Sequence, residues 1–284
     1  MSDASAAGRH AITVDVEDYF QVQAFAAVID RADWDGFAPR VADNTHRLLD
    51  QFAAARVCGT FFTLGWVAER QPALVRRIVA EGHELASHGH LHARIDSQNE
   101  AAFRADIAHA KAVLEQTAGV AISGYRAPTF SLSAATPWAH AALAETGHRY
   151  SSSIYPVRHD LYGSPDAPRF AHQAGGVWEI PMTTLRLGGR NWPISGGGYF
   201  RLLPYAAFRA GLRRFQSTER QPAVFYTHPW EIDPGQPRIA GVGRLSRFRH
   251  YVNLAATAGR IDRLLRDFRW DRIDRVFAHL LAPA

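Results

Sequence analysis

Cysteine is almost missing from this 284-residue chain. Cys58 stands alone, so no internal disulfide can form, a cysteine-based zinc site is excluded, and the thiol is expected in the interior. No uninterrupted apolar run is long enough to span a bilayer. Met1 to Arg9 carry neither the basic region nor the apolar stretch of a secretory leader. The expected location is cytoplasmic, with a peripheral position at the inner membrane as its variant. Internal repeats, low-complexity tracts and linkers are also missing, so nothing marks a clean domain boundary.

What is present is ordinary for a globular enzyme. Hydrophobic residues make up 47% and charged residues 21%, which excludes a disordered or fibrous chain. The length suits one large core, and α/β barrels of this size are commonly single domains. The formal charge of +5 favours anionic partners, yet the basic residues are almost all arginine and lie scattered, which argues against nucleic acid. The densest stretch, Arg238 to Arg275, interleaves with Phe248, Tyr251, Phe268 and Trp270. It reads as solvated helix faces, with docking on an acidic glycan, a membrane surface or RNA as the functional alternative.

Periodicity supplies the architecture. His10 to Val16 is a β-branched run, and Val41, Leu48, Leu49 and Phe52 recur at helical spacing. Val57 to Leu64 reads as a buried strand, Pro72 opens a helix that closes before Gly82, and a short strand runs from His83 to Ser87. Ser97 with Glu100 forms a capping box for a helix reaching Thr117, ahead of Gly119. A strand over Ala121 to Arg126, a helix over Ala134 to Glu145 and a strand near Tyr150 follow. The glycine-rich stretch 188–198 breaks the rhythm before a helix from Tyr205 to Phe215 and a strand from Val224 to Thr227. Repeated strand-helix units point to an α/β fold, a parallel barrel or open parallel sheet, with reactive groups at the carboxyl ends of the strands. Asp15, His88, Arg126 and His228 all fall at or just after such ends. The change to arginine-aromatic helices after Pro229 marks a C-terminal extension, about 230–284, on a single domain of residues 1–284.

His88 and His92 lie four residues apart in Ser87-His88-Gly89-His90-Leu91-His92, a spacing that brings both imidazoles onto one metal from a helical turn or tight loop. His90 points elsewhere. The acids of Thr13-Val14-Asp15-Val16-Glu17-Asp18 supply what two histidines lack, a carboxylate ligand and a carboxylate base for water. Like charges so close repel unless a cation is present; otherwise they read as a helix cap.

The stretch from Gly82 to His92 resembles the metal-binding motif of the polysaccharide deacetylase family, the nodulation-type carbohydrate esterases. The resemblance extends to the acidic first motif, to Tyr125-Arg126-Ala127-Pro128-Thr129-Phe130 and to Phe225-Tyr226-Thr227-His228, in family order. Residues 14–20, 228–233 and 247–253 further resemble the subgroup associated with exosortase and exopolysaccharide gene clusters. The resemblance implies a distorted (β/α) barrel and a metal-dependent hydrolase that removes N-acetyl groups from amino sugars of a bacterial exopolysaccharide. Exopolysaccharide assembly proteins are its implied partners.

In that reading one divalent metal ion, zinc, is held by His88, His92 and Glu17 or Asp18. Asp15 and Glu17 project to one side of an extended strand, which favours Asp15 as base and Glu17 as ligand, with Asp18 the rival if the strand ends or bulges earlier. Arg126 orients Asp15. His228, near its ordinary value of about 6.5, protonates the leaving amine. Pro128 and Trp230 are assigned to substrate binding, and Trp192 and Tyr199 are further stacking candidates. Ser151 departs from the family, which often carries an acid there. A cyclic-amide hydrolase of the same fold and an inactive glycan-binding scaffold remain the alternatives.

Overall fold

The computed structural model describes residues 8–282, so most of the Met1 to Arg9 segment read for a leader lies outside the described residues. Among the described residues no helix is long and apolar enough to cross a membrane.

Eleven strands are present among them: β1 (Arg9–Val16), β2 (Thr60–Thr63), β3 (Glu84–Ser87), β4 (Gly124–Tyr125), β5 (Tyr150–Ser151), β6 (His172–Ala174), β7 (Val177–Glu179), β8 (Thr184–Leu187), β9 (Arg190–Pro193), β10 (Val224–Thr227) and β11 (Arg269–Asp271). Every residue of β1 after Arg9 is buried, as a strand covered on both faces requires. The main sheet runs β10-β1-β2-β3-β4-β5-β7-β6 and is parallel except for β6 against β7. It curls into a half-barrel, in line with the α/β barrel expected. The segment between β7 and β10 crosses the opening. Thr183 Oγ1 accepts from Val224 N at 2.6 Å, and Ser195 O accepts from Tyr226 N at 2.7 Å.

The helices used below are α1 (Val41–Ala55), α2 (Gly65–Arg70), α3 (Pro72–Ala80), α4 (Glu100–Ala118), α5 (Ala139–Glu145), α6 (Gly197–Leu202), α7 (Tyr205–Glu219), α8 (Arg244–Tyr251) and α9 (Leu254–Asp267). α1 buries Leu48, Leu49 and Phe52, one apolar face at helical spacing. α4 departs from expectation at its start. Asn99 caps it by accepting from Ala102 N at 2.8 Å, while Ser97 Oγ donates to Arg94 O inside a preceding turn. Cys58, expected in the interior, is only partly buried. The glycine-rich stretch forms the β8–β9 hairpin around Gly188 and Gly189, both at positive φ, and then α6.

Register positions the site. Val16 pairs with Thr63, Thr63 with Ser87, and Ser87 with Tyr125, so Glu17, His88 and Arg126 leave the sheet at one level. Val14 pairs with Thr227, which sets His228 beside Asp15. In the C-terminal region, β11 pairs with Arg9, His10 and Ala11 of β1. Ala11 already pairs with Val224 across its other edge, so β11 occupies the edge that β2 takes from Thr13 onward.

The opposite end of the sheet carries Glu84, which accepts from Thr60 Oγ1 at 2.6 Å and Tyr150 Oη at 2.8 Å. Burial, reinforced by Asp274, raises its carboxyl to about 7 from an ordinary 4.5. A raised folded-state value gives stability that is present below the ordinary value and lost as pH climbs through the folded one. The stability of the native protein relative to Glu84→Gln is therefore expected to fall between about pH 4.5 and 7, by on the order of 3 kcal/mol. Denaturant titrations of both proteins across that window test this; parallel curves would remove Glu84 as the cause.

Candidate active site

Asp15 is the one acid of β1 and is 2% exposed. Arg126, fully buried, donates from Nη1 to Asp15 Oδ1 at 2.6 Å and to Thr13 Oγ1 at 2.6 Å. Its Nε donates to Ser152 O and its Nη2 to Ser152 Oγ, each at 3.0 Å, and its guanidinium lies 4.1 Å from the Phe62 ring centroid. These contacts fix the guanidinium in place, so it holds one carboxylate oxygen and leaves Oδ2 facing His228.

His88 and His92 project from the loop after β3, not from a helix. Gly89 at φ 77° and His92 at φ 51° turn that loop back on itself, and Arg31 ties it by donating to Leu91 O and His92 O. The His88 and His92 ring centroids lie 5.3 Å apart. His88 Nδ1 lies 2.8 Å from Arg126 O. A carbonyl only accepts, so Nδ1 carries the proton and the Nε2 lone pair is left free. Burial lowers His88 to about 4, which keeps the ring neutral.

Glu17 completes a group with these two histidines, their donor atoms all lying within 4.8 Å of one another. Glu17 Oε1 accepts from Trp230 Nε1 at 3.2 Å. Glu17 Oε2 is buried and has no hydrogen bond, although His92 Nε2 lies 2.7 Å away; the two atoms are close but misaligned. Burial alone would raise this carboxyl, but His92, His228 and His88 outweigh it and hold it well below the usual range. Two imidazoles and one carboxylate with an unmet oxygen are a donor set that fits zinc or a similar divalent ion, with positions to spare.

His228 follows β10. Its Nδ1 meets Glu231 Oε1 at 2.6 Å, and Arg201 Nε donates to Glu231 Oε2 at 2.8 Å. His228 Nε2 faces Asp15 Oδ2 at 3.8 Å and Glu17 Oε1 at 3.6 Å. Burial opposes its charge, but Glu17, Glu231 and Asp15 prevail and raise it to about 9, above the ordinary value expected from sequence.

Residues 33–151 match the description "Polysaccharide deacetylase", and residues 152–278 match "Domain of unknown function (DUF3473)". This chain carries a polysaccharide deacetylase family domain. The pairing of the two regions is the pattern of the exopolysaccharide-associated subgroup. A peptidoglycan-N-acetylglucosamine deacetylase of Bacillus cereus is 36% identical over 84 residues, 30% of this chain and 30% of that protein. The chain thus spans about a third of the length of that curated relative. The structure of a candidate polysaccharide deacetylase from Mycobacterium smegmatis superposes with a TM-score of 0.60 at 21% identity, covering 96% of this chain and 91% of the other. An allantoinase does so at 0.61 and 15%, covering 98% and 91%. At these identities both likenesses speak to the fold.

Of the family-motif residues, Asp18 goes elsewhere. Its Oδ2 accepts from the backbone of Arg40 and Val41 at the start of α1, and its Oδ1 accepts from Tyr19 N. Asp18 is a helix cap contributed from 22 residues upstream, outside the Glu17, His88 and His92 group. Burial raises it to about 6 despite these donors. Trp230 and Pro128, assigned from sequence to substrate binding, are both buried. The Trp230 indole stacks on His228 at 5.1 Å and on His250 at 4.3 Å, donates to Glu17, and lines the cavity beside His228. Trp192 is exposed on β9, whereas Tyr199 lines a cavity of about 320 Å³ together with Leu161, Tyr162, His228 and Phe248. Ser151 Oγ donates to Ser153 Oγ; the acid that engages His228 is Glu231, which sequence reasoning missed. The His-x-x-Glu spacing of His228 and Glu231 was the available signal, since residues three apart share one side of a helical turn.

Proposed function

We propose that this chain is a metal-dependent N-deacetylase acting on N-acetylated amino sugars of an exopolysaccharide. The observation that carries this reading is the juxtaposition of the Glu17, His88 and His92 donor group with the Asp15–Arg126 pair and with His228 at one end of the sheet. The family match over residues 33–151 supports it, as does the acetamide chemistry named for the Bacillus cereus relative. Glu17, His88 and His92 would hold the ion, proposed to be zinc; when bound, it supplies Lewis acidity toward water and an acetyl oxygen.

Asp15, aimed by Arg126, takes a proton from the attacking water. The water oxygen bonds to the acetyl carbon, giving a tetrahedral adduct. His228 Nε2 then donates a proton to the sugar nitrogen as the C–N bond breaks, so acetate and a free amine leave. Trp230 restrains Glu17, and Glu231 restrains His228. Residues 1–284 act in this proposal as one catalytic domain, with about 230–284 as its own extension. Cytoplasmic or peripheral inner-membrane location, and contact with exopolysaccharide assembly proteins rather than nucleic acid, belong to the same proposal.

The test is acetate release from N-acetylated oligosaccharides by chelated protein before and after zinc is returned. Release that depends on the returned ion is expected. Opening of a cyclic amide without acetate release from any N-acetylated glycan would replace this reading.

A further inference from the structure

His90 lies between His88 and His92 but turns away from them, toward a second group of donor atoms. Glu69 on α2, His90 and His109 on α4 each place one ligand atom within 4.8 Å of the others. Glu69 Oε2 lies 4.0 Å from His90 Nε2, and Glu69 Oε1 lies 3.7 Å from His109 Nε2. The His90 and His109 ring centroids are 4.4 Å apart. Ligands around a tetrahedral zinc ion sit about 3.3 Å from one another, so small rotations of the exposed Glu69 and His109 side chains close the group onto an ion.

The loop around His90 is built to present one ring nitrogen. The His90 backbone N donates to Asp106 Oδ2 at 3.1 Å, and its carbonyl accepts from Trp66 N at 3.2 Å. Its Nδ1 is buried without a partner among the described residues and faces Gly65, where an added Cβ would come within 2.4 Å of it. The ring therefore seats against a glycine, with Nε2 turned to Glu69. Arg70 is the charge that opposes a cation here, with Nη1 3.6 Å from Glu69 Oε2. Its guanidinium is also engaged by Asp35 through two hydrogen bonds and lies over Trp66, so its charge is shared between two carboxylates.

We propose that Glu69, His90 and His109 form a second metal site, for a divalent transition ion of the zinc type. Two imidazole nitrogens select such an ion over calcium or magnesium. Solvent completes the coordination, because Glu69 and His109 are exposed. The ion cross-links α2, α4 and the loop between His88 and His92, and so braces from behind the loop that carries the two active-site histidines. This site stands apart from the proposed deacetylase chemistry.

The test is a count of zinc bound per chain after the chelated full-length protein is equilibrated with buffered zinc ions alone. The native protein is expected to hold about two ions, and His109→Ala and Glu69→Gln about one each. His88→Ala is also expected to hold about one, and zinc should still raise its Tm. In His88→Ala/His109→Ala that rise should vanish. Both single substitutions at Glu69 and His109 fall on exposed side chains, so folding is retained. A His109→Ala variant that holds as many ions as the native protein overturns the second site. Loss of the ion in His88→Ala alone bears on the first.

Discussion

Asp15→Asn is expected to lower acetate release by about 10²- to 10⁴-fold while leaving the Glu17, His88 and His92 group able to hold its ion. The amide oxygen of asparagine still accepts from Arg126 Nη1 but cannot take a proton from water. Arg126 keeps Thr13 Oγ1, Ser152 O and Ser152 Oγ as partners. The guanidinium is therefore not stranded, although it loses a countercharge in a fully buried place and some stability goes with it. Zinc content and circular dichroism of the variant separate lost chemistry from lost structure. Glu17→Gln is expected to lose both the ion and the rate, because Glu17 Oε2 is the unmet carboxylate oxygen between the histidines. An Asp15→Asn protein without metal, beside a Glu17→Gln protein that keeps its metal but is inactive, would reverse the two roles.

What the sequence revealed depended on how local the cause was. β1 and β10 were legible because their runs are continuous and apolar, as strands buried on both faces must be. The His88 and His92 spacing was legible because both side chains come from one short loop. Asp18 was not, since its partners are backbone groups at Arg40 and Val41 that only the folded chain brings near. β6 and β7 are three residues each, and β6 is only partly buried, too short and too wet to show a period. The Asn99 cap was missed because Ser97 and Glu100 also fit a capping pattern, while a turn over Ile95–Ser97 takes up the serine. The burial of Trp230 could not be read from its neighbours in sequence, because it comes from stacking with His228 and with His250, the latter 20 residues on. The four strand-end residues converge as expected, because a parallel sheet places every carboxyl end on one side. Arg201 and Glu231, which fix His228, are 30 residues apart and meet only through α6 packing beside the turn after β10.

His228→Ala separates a proton donor from a packed residue. Nitrogen is a poor leaving group from a tetrahedral adduct unless it is protonated, so the donor must be charged before the C–N bond breaks. The carboxylates of Glu17, Glu231 and Asp15 overcome the effect of burial and raise His228 to about 9, which keeps the proton in place at neutral pH. Glu231 occupies Nδ1, so the proton available for transfer is the one on Nε2. Removal of the ring is expected to lower hydrolysis of N-acetyl substrates by about 10²- to 10⁴-fold. Hydrolysis of an activated acetyl ester, whose leaving group departs without a proton, should fall much less. Zinc content should be retained, because His228 lies outside the Glu17, His88 and His92 group. Glu231→Gln should show the same preference for the ester at smaller size, since the ring remains but loses the carboxylate that orients and charges it. A histidine that only packs against Trp230 predicts a lower Tm and equal losses on the two substrates. Equal losses would take His228 out of the chemistry, whereas an amide-selective loss places the departing nitrogen at Nε2.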